Sequence, residues 1–203
     1  RRWHGGGNAV DTAVATAFAQ MHSGRPHPVG IEVPHDVLES RIDTPPRGAQ
    51  PPAADQPPLD IVALARIGEQ IDNARLPAFF AGGGVLAAEA GPALKRLAER
   101  LGAPVIMSDN GLGALSARHP LGLTTLAGRA VFEHADLIVV IGSRFMNSLE
   151  PTPSWTGTGT RFIFINVDAA DMRPPRQGII ALQADARAAL EHLAETVKRR
   201  EVI

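Results

Sequence analysis

The sequence predicts an α/β domain: a three-layer, doubly wound (Rossmann-like), mostly parallel sheet of about five to six strands with helices on both faces. Three observations carry this expectation. Residues 137–141 (Leu-Ile-Val-Val-Ile) and 162–167 are near-continuous apolar runs, as in strands buried on both faces. Between such runs lie stretches with apolar residues every three or four positions, as in helices with one buried face. A Gly-Gly-Gly turn follows the first apolar run, at the strand end where open parallel sheets meet their ligands.

Each element follows from a local pattern. Ile61, Leu64, Ile67 and Ile71 mark one helical face, and residues 76–81 form a short apolar strand. Residues 91–101 read as a helix with Leu94, Leu97 and Leu101 turned inward; Pro92 is tolerated in its first turn. Val105-Ile106-Met107 is a strand, 128–134 a short helix, 137–141 and 162–167 strands, and 179–182 a weaker strand. Asp185 caps a last helix whose face is Ala186, Leu190, Leu193 and Val197. Upstream, residues 1–7 are Gly-rich. Val10, Val14, Phe18 and Met21 line a helix that Asn8 caps, with Asp11 placed as in a capping box, and that Gly24 ends. Residues 28–34 read as a strand between two prolines. That helix and strand are too little to bury their own faces. Pro45, Pro46, Pro51, Pro52, Pro57 and Pro58 break regular structure and read as a linker; a Pro-rich ligand for a partner module is the alternative. The expected organisation is a helix–strand piece at 1–40, a linker at 41–57 and the main domain at 58–203.

Composition removes several classes of function. Twenty Lys+Arg against 21 Asp+Glu leave a formal charge of −1, which argues against nucleic-acid binding. Aromatics are 4% of the 203 residues and Tyr is absent, too sparse for base-stacking platforms. Without Cys there is no disulfide, thiolate metal site or Cys nucleophile. No apolar run approaches the ~18 residues of a membrane span. The seven histidines show no H-x-x-x-H or H-E-x-x-H spacing, so a metal site is not expected. Neither G-x-S-x-G nor G-x-x-x-x-G-K-[ST] occurs. The chain begins at Arg1 rather than Met and is expected to be a piece of something longer.

The residues after each strand are the candidates for binding. Gly82-Gly83-Gly84-Val85-Leu86-Ala87 fits G-x-G-x-x-[GA], a form whose glycines let backbone amides approach a phosphate at a helix start. An ordinary tight turn explains the same three glycines. The acidic residue expected about 20 positions on is represented by Glu99, in a helix, or Asp109, at a strand end. Ser108-Asp109-Asn110-Gly111-Leu112-Gly113 follows the second strand and Gly142-Ser143-Arg144-Phe145 the third. Arg144 suits a bidentate phosphate or carboxylate; the alternative is an ion pair with Asp168 or Asp109. Asp168 suits a ribose hydroxyl, or a helix cap before 169–172. Asp185 reads as a plain cap.

At this point the chain resembles thiamine-diphosphate-dependent enzymes of the acetolactate synthase, benzoylformate decarboxylase and oxalyl-CoA decarboxylase type. Gly24-Arg25-Pro26-His27-Pro28-Val29, an apolar run and Pro34-His35-Asp36-Val37 look like the end of that family's pyrimidine-binding domain, with His27 in place of the usual Gly. The Pro-rich stretch is similar to the family's linker. The pieces at 77–84, 102–105, 111–113, 119–122, 135–145, 164–168 and 184–186 look like its central domain, so the resemblance covers essentially the whole chain.

The resemblance implies a central domain that in flavin-binding members holds FAD, in others ADP, in others nothing. The matching positions are Gly82, Gly83, Gly84, Gly142, Ser143, Arg144, Asn166, Val167, Asp168, Asp185 and Ala186. Met146, Asn147 and Ser148 stand where the family often has acidic and Arg residues, Ala184 replaces a Gly, and Leu126-Ala127-Gly128 replaces Met-His-Gly. It further implies a parent that binds thiamine diphosphate and Mg²⁺, acts on a 2-oxo acid or acyl substrate, forms a homodimer or homotetramer and works in the cytoplasm. No nucleic acid or membrane partner is expected. The family's activating Glu belongs before Arg1, and its Gly-Asp-Gly…Asn motif does not occur here. No catalytic residue or metal ligand is therefore assigned to this chain, and the segment alone is expected to be inactive. The remaining alternatives are an NAD-dependent oxidoreductase built on the Gly82 fingerprint and a non-catalytic nucleotide-binding module.

Overall fold

The structure is a computed structural model that describes residues 10–41, 58–145, 155–172 and 180–200. The chain divides into two compact units, residues 1–55 and 56–203. In the first, α1 (Val10–His22) buries only Ala17, and Phe18 is exposed. The strand expected at 28–34 is not formed. An extended segment becomes a strand only through a ladder with a neighbour, and no described residue supplies one. A short helix not foreseen from the sequence, α2 (His35–Glu39), follows Pro34; one turn is too short for a periodic signal. The Asn8 cap, the Gly-rich start and the Pro-rich stretch other than Pro58 lie outside the described residues.

The second unit runs α3 (Ile61–Asn73), β1 (Pro77–Ala81), α4 (Gly83–Ala87), α5 (Gly91–Leu101), β2 (Val105–Met107), β3 (Gly122–Thr124), α6 (Thr125–Phe132), β4 (Leu137–Ile141), β5 (Arg161–Asn166), β6 (Ile180–Gln183) and α7 (Ala186–Thr196). Six strands form one sheet in the order β3-β2-β1-β4-β5-β6, and every pairing is parallel. The chain starts in the middle, winds outward to β3, returns beside β1 as β4 and winds out the other way. The switch point of this doubly wound sheet therefore lies between β1 and β4.

Alternate residues of each strand face opposite layers. Phe79, Ala81, Val105, Met107, Val139, Ile141, Ile163 and Ile165 pack against α3, α5 and α7. Ala78, Phe80, Ile106, Ile138, Val140, Phe162 and Phe164 face the other way, toward Phe132 of α6 and toward Phe145. β4 is buried along its whole length, which explains its uninterrupted aliphatic run. The second face is closed by rings more than by helices: Phe145 meets Phe80 and Phe132 edge-on at 5.0 and 5.7 Å, and Trp155 stacks on Phe132 at 6.4 Å. Such pairs contribute about 0.5–1.5 kcal/mol each beyond their buried area. The Arg129 guanidinium lies 4.3 Å above the Trp155 ring. Gly128 lets α6 settle on the sheet, because a Cβ there would stand 2.6 Å from the Ile106 side chain.

Helix ends follow the expected rules. Asp60 caps α3 by accepting from the Ala63 amide at 2.9 Å. Gly102, at φ 61, ends α5 in a left-handed turn. Two arginines bind the carbonyl ends of helices: Arg100 of α5 donates from Nε to Val197 O at the end of α7, at 2.6 Å, and Arg200 of the tail donates from Nη2 to Ile71 O of α3 at 2.8 Å. Two details differ from the sequence reading. The short helix spans Thr125–Phe132 rather than 128–134, because Thr124 accepts from the Ala127 amide and starts it early. The edge strand β3 was not foreseen; three half-exposed residues carry no apolar run. Position 179 of the weak last strand lies outside the described residues.

Two carboxylates hold the connections into strands. His119 Nδ1 accepts from the Leu121 amide at 3.2 Å, so its Nε2 carries the proton that meets Glu99 Oε1 at 3.0 Å. This clips the loop before β3 to α5, and the hydrogen bond from His119 holds the Glu99 carboxyl below its usual range. Asp136 accepts from the Arg75 and Leu76 amides, both at 2.8 Å, and so ties the start of β1 to that of β4. Partial burial raises the pKa of Asp136, but these two amides and the Arg161 charge outweigh it and leave it lowered.

A depressed folded-state pKa stabilises the fold above the unfolded value, and that stability is lost as pH falls through the folded one. Asp136→Asn is expected to lose about 1–2 kcal/mol at neutral pH in urea titrations. The gap to the parent chain should narrow below pH ~4; a gap independent of pH would contradict the ionised clamp.

Candidate functional site

Because every strand runs the same way, the segments after β1, β2, β4, β5 and β6 emerge at one edge. The structure thereby brings together most of the residues that the sequence singles out. The Gly82 amide donates to Ile141 O at 2.9 Å, and the Gly84 amide to Gly142 O at 3.0 Å. Asn166, 6% exposed, joins the next pair of loops: its Nδ2 donates to Ser143 O and its Oδ1 accepts from the Asp168 amide, both at 3.3 Å. The Asn166 carbonyl accepts from the Ala184 amide, and the Val167 carbonyl from Gln183 Nε2 at 3.0 Å. One continuous set of bonds thus runs from the glycine loop to the start of α7.

The glycines have a steric reason. A Cβ on Gly82 would stand 2.3 Å from Gly142 O, and one on Gly84 2.6 Å from the Gly142 Cα. Gly142 itself is at φ 57, and its own Cβ would meet the Gly84 Cα at 2.6 Å. On the other side a Cβ on Gly111 would fall 2.1 Å from Ala81 O. Three loops therefore pack backbone against backbone at the switch point. Phe145, at φ 55, is in a left-handed conformation unusual for a bulky residue. It is held by burial among Phe80, Phe132, Phe162 and Phe164 and by its backbone N–H, which donates to Ser143 Oγ at 3.2 Å. Nothing in the sequence announces a strained Phe.

The charged candidates separate. Asp168 caps the 3₁₀ turn 169–171 through the Ala170 amide at 2.9 Å. Asp185 caps α7 through the Ala188 amide at 3.0 Å. Arg144 is exposed, and the ion pair expected with Asp168 or Asp109 is not formed among the described residues. Asp168 is committed to its cap, and Asp109 is exposed in a 3₁₀ turn on the far side of the glycine loop. Glu99 belongs to the His119 clip. Positions 146–148 lie outside the described residues.

At the glycine loop most of the backbone donors are already engaged within the protein. Of the three amides at the start of α4, two are spent within the protein: Gly84 on Gly142 O and Val85 on Gly82 O. The space cleared by the missing Cβ atoms is filled by the loop after β4 rather than left open toward solvent. Among the described residues no group of three or more His, Asp or Glu side chains is placed to hold a metal ion. No helix among them is long and apolar enough to cross a membrane.

Fold and edge together define a doubly wound parallel α/β domain whose switch point is closed by its own backbone. The sequence model for the thiamine pyrophosphate enzyme central domain matches residues 64–193, and the chain belongs to that family. It is 30% identical to the acetolactate synthase large subunit of Corynebacterium glutamicum, over 94% of this chain and 32% of that protein. It is 29% identical to the glyoxylate carboligase of Escherichia coli O157:H7, over 95% of this chain and 34% of the relative. The chain thus spans about a third of the length of the relatives it matches. The fold is also that of benzoylformate decarboxylase from Polynucleobacter necessarius, with TM-score 0.79 at 20% identity over 98% of this chain and 38% of that one. Family membership leaves the NAD-dependent oxidoreductase reading without support.

Two substitutions at this edge should behave oppositely in urea unfolding. Asn166→Ala removes a buried amide, takes its bonds from Ser143 O and the Asp168 N–H and is expected to cost about 1–3 kcal/mol. Arg144→Ala removes an exposed, unpaired charge and should stay within about 0.5 kcal/mol of the parent chain.

Proposed function

We propose that this chain is the central scaffold of a thiamine-diphosphate-dependent enzyme acting on a 2-oxo acid, a carboligase or decarboxylase of the acetolactate synthase kind. The observation that carries the reading is the family match over residues 64–193 together with relatives that cover nearly all of this chain. The cofactor, when bound with Mg²⁺, supplies the ylid and the electron sink. This sequence contains no Gly-Asp-Gly motif and so lacks the residues that the resemblance assigns to the diphosphate and its metal. Its part is to hold geometry. The bonded edge from Gly82 to Asp185 fixes the loops after four strands relative to one another. The remaining domains of the parent and a second subunit are its partners. A 1 Å displacement of a reacting group costs an enzyme about 10²-fold in rate, which gives a rigid non-catalytic domain a direct value.

The test supplies pyruvate, thiamine diphosphate and Mg²⁺ to the 203-residue chain and to the parent protein that carries it. Acetolactate or CO₂ formation is expected from the parent and not from the chain alone. Turnover by the isolated chain, or a parent inert toward every 2-oxo acid tried, would overturn the reading.

A further inference from the structure

We infer that this central domain has exchanged the nucleotide site of its fold for a backbone lock, and that it holds neither FAD nor ADP at its carboxyl edge. The inference rests on the proposed placement in the thiamine-diphosphate family, where the resemblance assigns flavin or ADP to the same positions. Open α/β sheets bind ligands in the crevice at the switch point because the two loops there diverge. Here they converge. Gly82 and Gly84 are glycines because the backbone of Gly142 occupies the volume of their Cβ atoms, at 2.3 and 2.6 Å. In a dinucleotide fingerprint the cleared volume admits the pyrophosphate, and the amides of the helix start point at it.

The donors tell the same story. A backbone N–H makes one strong bond. The Gly82 amide is given to Ile141 O, that of Gly84 to Gly142 O and that of Val85 to Gly82 O. α4 is five residues long, so it supplies little dipole to replace them. The acceptors that a ribose would use are likewise partly engaged. One Asp168 oxygen and one Asp185 oxygen cap helical turns, and both polar atoms of the Asn166 side chain bridge loops. Among the described residues Arg144 and the Gly83 amide are left uncommitted, and one exposed guanidinium with one amide does not make a dinucleotide site. The same bonds that exclude the ligand make the edge rigid, so the lock and the closed crevice are one feature.

Two measurements test this on the purified chain and on its parent protein. The first looks for flavin by absorbance and titrates FAD and ADP by calorimetry and thermal unfolding. No colour, no saturable heat and no rise in Tm are expected. A ligand at 100 times its Kd would raise Tm by several degrees, and such a rise with FAD or ADP overturns the inference. The second compares Gly84→Ala with Gly159→Ala, whose Cβ would meet nothing within 4 Å. With no nucleotide present, Gly84→Ala should lower Tm by on the order of 5 °C or more and Gly159→Ala by about 1 °C or less; equal, small shifts overturn the lock. The titrations decide the matter even where Gly84→Ala gives no soluble protein. Turnover is scored separately, so a yellow, active parent overturns this inference and leaves the functional reading standing.

Discussion

The contact between the backbones of Gly84 and Gly142 is the constraint on which the rest of this edge depends. It joins the two halves of the sheet at the place where the winding reverses. Any side chain at Gly82, Gly84 or Gly142 would drive the loops after β1 and β4 apart. Their closeness lets the amides of one satisfy the carbonyls of the other, and it places Ser143 where Asn166 reaches its carbonyl. Stability and the shape of the edge therefore have the same origin.

The two faces of the sheet are covered by different means. Three helices with aliphatic faces cover one, and they supply the larger part of the core. The other is sealed by α6 and by a cluster of phenylalanines centred on Phe145. That residue accepts a left-handed backbone, a cost of order 1–3 kcal/mol, where its ring packs among Phe80, Phe132, Phe162 and Phe164. The turn it forces presents Arg144 to solvent. The low aromatic content of the chain is thus concentrated where it matters: five of the seven Phe residues meet in this one cluster.

Under the proposed function this domain contributes to chemistry by holding positions. The charges that sequence reasoning offered as ligand contacts, Asp168 and Asp185, are consumed as caps, and the glycines are consumed as packing. What is left at the edge is a fixed set of loops with Arg144 exposed. That suits a scaffold between domains better than a site that grips a cofactor.

The sequence by itself determined the fold class and nearly every strand of the main domain. Leu137–Ile141 and its neighbours are apolar without interruption because they are buried on both faces, and that requirement is written in each residue. It also determined the cap Asp185, whose geometry is local, and offered a cap as one of two roles for Asp168. The family likeness was legible because short motifs such as Gly82-Gly83-Gly84 and Gly142-Ser143-Arg144-Phe145 are retained. Only the tertiary structure decided what those motifs do. A glycine records that a Cβ is not tolerated, but not whether a ligand or another loop excludes it, because that neighbour lies 60 residues away in the chain. For the same reason β3 and the strained Phe145 were hidden: each is set by what packs against it, and the partner is remote in sequence.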